Sequence, residues 1–214
     1  MGLVLLARHG ETDWNAEHRF QGHADRPLNE RGRAQAEALA ARLAGAPLAA
    51  VYASDLRRAR ETAEIVARPH GLAVVPRAEL KEVDVGSWSG LTTAEAAARF
   101  PEAFRRWRDE GRPGWTDGET YEEMRDRALA AVLEIGAAHA GETVLVVAHG
   151  GTIRALLATA VGMDVHEYRH VRPVQPNARL AAVRVDDGGI VESYDDGQVA
   201  GLLAAAAPSP SGEP

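Results

Sequence analysis

A three-layer α/β/α sandwich on a mainly parallel central sheet is the fold class this sequence predicts, and three observations predict it. Short apolar runs recur at Leu3 to Ala7, Leu48 to Ala53 and Glu142 to Ala148, without the polar alternation of a half-wet strand, as strands buried on both faces require. Amphipathic helical patterns lie between them, so strands alternate with helices. Two of the runs end in the same step, His9-Gly10 and His149-Gly150-Gly151. Both imidazoles would then stand on the carboxyl rim, where open α/β sheets bind ligands.

Taken in order, the first strand gives way to a polar stretch through Gln21-Gly22-His23 and Pro27-Leu28, which reads as a loop over that strand's end. Asn29 is placed to cap a helix from Glu30 to about Leu43, with Ala34, Ala38, Leu39 and Leu43 as its packing stripe. The strand ending at Ala53 runs into Ser54-Asp55-Leu56-Arg57-Arg58-Ala59 and a helix to about Arg68. Arg57 and Arg58 fall in its first turn, where the helix dipole does not favour a cation, so a nearby anion is the simpler explanation of them. Ala73 to Pro76 reads as an edge strand, and Leu80 to Gly90 as a glycine-punctuated loop. Thr92 with Glu95 and Thr120 with Glu123 are capping boxes. Between them, Pro101 to Gly118, with Phe104, Trp107 and Trp115, predicts a small helical cap of which the tryptophans form the core. A helix follows from Tyr121 to about His139, and another from about Thr152 to Val161. Arg179 to Val185 and Ile190 to Tyr194 flank a hairpin turn, Asp186-Asp187-Gly188-Gly189. No linker divides the chain, so the expectation is one domain over 1–203, a cap insertion at about 91–118 and a disordered Ala/Pro/Ser tail at 204–214.

With 214 residues, 45% hydrophobic and 26% charged, the composition is that of a soluble globular protein. The absence of cysteine excludes disulfides, thiolate zinc sites and cysteine nucleophiles. The first apolar run is too short for a signal or a membrane span, which points to a cytoplasmic protein with no membrane partner. A net charge of −7 argues against nucleic acid but allows a small anionic substrate held by local arginines.

At the rim the elements collect Arg8, His9, Arg58, Glu82 and His149. Two guanidinium forks suit the oxygens of a phosphoryl group. The histidines supply a nucleophile and a further donor, and the glutamate a proton source. That inventory describes phosphoryl transfer without a metal or other cofactor. Five blocks then carry a family likeness: Arg8-His9-Gly10-Glu11-Thr12 with Asn15, Gln21-Gly22, Ser54-Asp55-Leu56-x-Arg58-Ala59, Glu82-x-x-x-Gly86-x-Trp88-x-Gly90, and His149-Gly150-Gly151. Together they resemble the histidine phosphatase superfamily, with its phosphoglycerate mutase-like fold, over roughly residues 3 to 195. The resemblance implies that His9 is phosphorylated, that Arg8, Arg58 and His149 hold the phosphoryl oxygens, and that Glu82 is the acid and then the base. It also implies that Asn15, Gln21, Gly22 and Gly150 bind substrate or phosphate.

Within that family the mutases carry a longer insertion after the Gly-Trp-x-Gly block, which encloses a bisphosphorylated intermediate. Only Leu91 to Gly118 is available here, so transfer to water is expected: a phosphomonoesterase acting on a small phosphorylated metabolite, of sugar phosphate or phosphoglycerate type. A cofactor-dependent mutase and a non-catalytic phosphate-binding module are the alternatives. The resembled family commonly dimerises, though the sequence shows no interface signature. Arg105, Arg106 and Arg108 are candidates to meet a second anionic group, against the plainer reading as solvated helix charges. His166-Glu167-Tyr168-Arg169-His170 fits the zinc-protease pattern, with Glu192 as a conceivable third ligand, but the segment lacks the apolar periodicity of a stable helix.

Overall fold

The computed structural model describes residues 1–206. Its strands are β1 (Gly2–Arg8), β2 (Leu48–Ser54), β3 (Val74–Arg77), β4 (Thr143–Ala148), β5 (Leu180–Asp186) and β6 (Gly189–Tyr194). They form one sheet in the order β3-β2-β4-β1-β5-β6. The first four run parallel, while β5 is antiparallel to β1 and β6 to β5. The predicted sandwich is therefore observed, with an antiparallel hairpin on one edge.

The helices are α1 (Asp13–Ala16), α2 (Glu30–Leu43), α3 (Arg57–Ala67), α4 (Thr93–Arg99), α5 (Pro101–Glu110), α6 (Tyr121–Ala138), α7 (Gly150–Ala160), α8 (Val165–Val171) and α9 (Asp196–Ala206). Alternation along β1 sorts the two layers, since successive strand side chains point to opposite faces. Leu3, Leu5 and Ala7 pack with Leu39, Leu43, Val66 and Val199 from α2, α3 and α9. Val4 and Leu6 pack with Val132, Ile135, Ile153 and Leu156 from α6 and α7. A third cluster lies over the sheet's carboxyl end, around Trp88, which is fully buried. Phe20, Trp107 and Trp115 meet its ring edge-on, with centroids 5.1, 5.9 and 5.6 Å away.

Local chemistry places the ends of these elements. Asn29 caps α2 by accepting from Gly32 N at 2.7 Å, and both predicted capping boxes are formed, at α4 and α6. α2 starts tight against the loop after β1, because a Cβ at Gly32 would overlap the Glu11 carbonyl oxygen.

Four expectations need correction. Ala34 and Ala38 are exposed, and α2 instead buries Gly32, Ala36 and Ala40 beside Leu39 and Leu43. α7 begins at Gly150, directly after His149, rather than near Thr152. The segment around His166 to His170 is helical: Asp164 caps α8 by accepting from His166 N and Glu167 N, so capping supplies what apolar periodicity lacked. α9 extends to Ala206, into the start of the expected tail, and the remainder of that tail lies outside the described residues. Among the described residues, no helix is long and apolar enough to cross a membrane.

Candidate active site

The register of two strands decides where the histidines meet. β1 and β4 pair in parallel with Ala7 beside Val147 and Arg8 beside Ala148, so the next residues, His9 and His149, emerge side by side. His9 N donates to the Ala148 carbonyl at 3.0 Å, which continues the ladder one step past the strand. The ring centroids are 5.2 Å apart. Two imidazoles separated by most of the chain thus share one rim position.

His9 is 3% exposed, and its Nδ1 lies 2.6 Å from the Gly10 carbonyl oxygen. A carbonyl only accepts, so Nδ1 carries the proton and the Nε2 lone pair is left for chemistry. Burial, then the Arg58 and Arg8 charges, hold the ring well below the ordinary 6.5, against the opposing pull of the Gly10 bond. The Gly10 peptide is fixed in turn, since Gly10 N donates to Thr62 Oγ1 at 3.0 Å and Thr62 donates to the Arg58 carbonyl at 2.8 Å. Asn177 Nδ2 adds a bond to the His9 carbonyl at 2.9 Å.

Arg58 is 1% exposed, anchored by donation from Nη1 to Ala24 O at 2.7 Å and from Nη2 to Gly22 O at 2.9 Å. Burial lowers its guanidinium to about 10, with Glu82 and Asp25 opposing. Arg57 divides from it, lying on the surface in an ion pair with Glu61 at 2.6 Å. Arg8 donates to Gln175 O at 2.7 Å, and burial lowers it as well, with Glu82 opposing. Arg8 Nε, Arg58 Nε and both ring nitrogens of His149 are buried with no protein partner among the described residues. Burial first, and then Arg58, His9, Arg8 and Arg127, depress the His149 ring far below 6.5. Unpaired buried polar atoms are costly, and these four belong to residues whose charges or rings act directly on His9, so that an oxyanion held there would satisfy them.

Glu82 lines the same cavity as His9. Its carboxylate accepts from Val83 N at 3.0 Å and from Gly151 N at 2.9 Å, the latter in the first turn of α7. Any side chain at position 151 would collide with that carboxylate. Asn15 is the third residue of α1, and its Oδ1 accepts from Thr12 N at 3.1 Å, which leaves its amide donors free. Gln21 is nearly buried, with Oε1 within hydrogen-bond distance of the Thr12 hydroxyl.

A cavity of about 200 Å³ takes in Arg8, His9, Asn15, Gln21, Gly22, Arg58, Glu82 and Gly150. Of the nine residues expected at the site, only His149 is not among those lining it, its ring lying beside that of His9. Arg19, Tyr121 and Arg154, which the sequence did not mark as site residues, also face it, and so does Trp115, expected as cap core. Arg154 follows Gly150 by four residues, one helical turn of about 5.4 Å further along α7. The signal that points to it is that helical spacing from the His-Gly-Gly step. By contrast, Arg105, Arg106 and Arg108 lie exposed on α5 and do not reach the cavity, and Arg108 pairs with its neighbour Asp109 at 2.6 Å. The His166 ring is also committed elsewhere, at 3.1 Å from Gly111 O and 2.6 Å from Glu122 Oε1, and Glu192 pairs with Arg184 at 3.1 Å.

The arrangement joins a neutral imidazole with a free nitrogen, inward-facing cationic donors and a carboxyl group across a small cavity. The model of the histidine phosphatase superfamily (branch 1) matches residues 4–196, and the chain belongs to that family. It is 39% identical over 173 residues to a glucosyl-3-phosphoglycerate phosphatase of Mycolicibacterium vanbaalenii, covering 78% of this chain and 76% of that one. It is 34% identical over 169 residues to phosphoserine phosphatase 1 of Hydrogenobacter thermophilus, covering 78% and 80%. Among solved structures, Bacillus stearothermophilus YhfR superposes with a TM-score of 0.82 at 36% identity, over 89% of this chain and 94% of that one.

Proposed function

We propose that this chain is a phosphomonoesterase for small organic phosphates, working through a phosphohistidine on His9. The observation that carries the reading is the state of that ring: protonated on Nδ1 by its bond to Gly10 O, held neutral by burial, and surrounded by unpaired donors. His9 Nε2 attacks phosphorus, the P–O bond to the alcohol breaks, and Glu82 gives its proton to the departing alkoxide. Arg8, Arg58 and His149 donate to the phosphoryl oxygens while charge develops there. In the second half, the Glu82 carboxylate takes a proton from water, the water oxygen attacks phosphorus, and the P–N bond breaks to release inorganic phosphate. The reaction asks for no metal, because guanidinium groups supply the positive charge.

We extend the proposal to the leaving alcohol. Arg154 lines the cavity one turn beyond Gly150 and forms no hydrogen bond or ion pair among the described residues. An alcohol bearing its own carboxylate would reach it. The substrates named for the two phosphatases above both have this feature, which supports the reading.

The test is phosphate release from a panel of phosphorylated metabolites and p-nitrophenyl phosphate, with and without added bisphosphoglycerate, in the parent and in His9→Ala. Release by the parent and its loss in the variant are expected. Parent-level hydrolysis by His9→Ala would remove the nucleophile, and isomerisation of phosphoglycerate without phosphate release would make the chain a mutase.

A further inference from the structure

Glu82 sits where the backbone has no regular structure of its own, between the 3-10 turns Ala78–Leu80 and Gly86–Trp88. Val83 N and Gly151 N hold its carboxylate, but no strand ladder or helix holds the backbone from which that side chain springs. One guanidinium performs that task instead. Arg127, on the second turn of α6, donates from Nη1 to Glu79 O at 2.6 Å and Lys81 O at 2.8 Å, and from Nη2 to Glu82 O at 2.9 Å. Its remaining edge meets the Glu119 carboxylate in a two-point fork, Nε to Oε1 at 2.6 Å and Nη2 to Oε2 at 2.7 Å. A guanidinium has five N–H donors, and these five contacts use all of them.

The geometry points to Arg127, oriented by Glu119, as a positioning residue for Glu82: it gathers the carbonyls of residues 79, 81 and 82 and so aims the carboxyl at the leaving oxygen. Two lighter contacts help, from His23 Nε2 to Glu82 O at 2.8 Å and from Thr152 Oγ1 to Lys81 O at 2.9 Å. Arg127 does not itself line the cavity and acts through the backbone it holds. Proton transfer is sensitive to such placement, since a shift of about 1 Å in a catalytic group can cost roughly a hundredfold in rate. The inference rests on the reading of Glu82 as the general acid.

Leaving-group dependence separates positioning from general loss of structure. p-Nitrophenolate departs without a proton, whereas the alkoxide of O-phosphoserine needs one. The quantity to follow is the ratio of kcat/KM for O-phosphoserine to that for p-nitrophenyl phosphate. Glu82→Gln should lower the ratio by about a hundredfold, within the range of general acid catalysis. Arg127→Ala should lower it by about tenfold, and the Glu82→Gln/Arg127→Ala double variant no further than Glu82→Gln alone, as two changes to one function require. If Arg127→Ala does not fold, Glu119→Gln, which loosens the fork and keeps the guanidinium, should lower the ratio in the same direction. Equal losses on both substrates in the Arg127 or Glu119 variant, or a further fall in the double variant, would overturn the positioning role. An unchanged ratio in Glu82→Gln would remove the acid assignment itself, and the positioning role with it.

Discussion

The floor of the cleft is built from strand ends, while its roof is built from loops that side chains hold in place. On the floor, Arg8, His9 and His149 inherit their positions from the β1–β4 register, and hydrogen bonds beneath them fix ring and peptide. On the roof, the Glu82 loop, α4 and α5 have no sheet to lean on. They depend on the Trp88 cluster, on the Arg127 fork, and on α8, where Arg169 stacks 4.7 Å above the Trp107 ring and donates to its carbonyl at 2.7 Å. On the proposed mechanism, the nucleophile and the donors to the phosphoryl oxygens belong to the floor, whereas the proton supply from Glu82, choice among alcohols and stability of the enclosure belong to the roof.

That division can be broken by experiment. The largest effect on stability should come from Trp88→Ala, which empties the centre of the roof cluster and should cost about 3–5 kcal/mol in a urea melt. A loss below about 1 kcal/mol would show that the roof does not depend on it. Arg58→Ala removes a buried floor donor and should reduce kcat by about 10²–10³-fold on every monoester alike. A strongly substrate-dependent loss would blur the boundary. Arg154→Gln should do the reverse, lowering kcat/KM for O-phosphoserine relative to p-nitrophenyl phosphate by about tenfold, as for one exposed charge-assisted contact. Replacing Arg105, Arg106 and Arg108 together should leave that ratio where it was.

The smallest effect is a pH dependence set by the floor. His9 and His149 are both depressed below 6.5, so in mildly acidic solution the unfolded chain binds protons that the folded chain does not. Stability should be full above about pH 6.5 and fall as the pH drops below it, by at most about 1.4 kcal/mol per pH unit for each ring. Melts from about pH 7.5 to 5.5 read this directly, and His149→Asn should flatten the slope by roughly half. A slope of the opposite sign would mean that the rings are charged in the folded protein.

The floor was also the more legible half. An uninterrupted apolar run ending in His-Gly, found twice, predicts parallel neighbours with imidazoles at one rim, and the register does the rest. Arg58 carried a second signal, a cation in the first turn of a helix, although Arg57 carried the same signal and ended on the surface. Helix phase separates them only once the packing against the loop at Gly22 to Ala24 is known. Roof residues gave no such signal. Arg127 and Arg154 look in the sequence like the arginines of α5, because what distinguishes them is which distant carbonyls or cavity they reach. α8 was obscured for a related reason, since a cap and side-chain contacts, rather than an apolar stripe, make it a helix.

The most direct test is the position of phosphorus on the nucleophile. Phosphorus NMR of denatured protein, trapped during turnover by a Glu82→Gln variant that slows hydrolysis of the intermediate, reports which ring nitrogen carries it. With Nδ1 committed to the Gly10 carbonyl, phosphorus should be found on Nε2 of His9. Phosphorus on Nδ1, on another residue, or absent from a protein that is turning over would contradict the account.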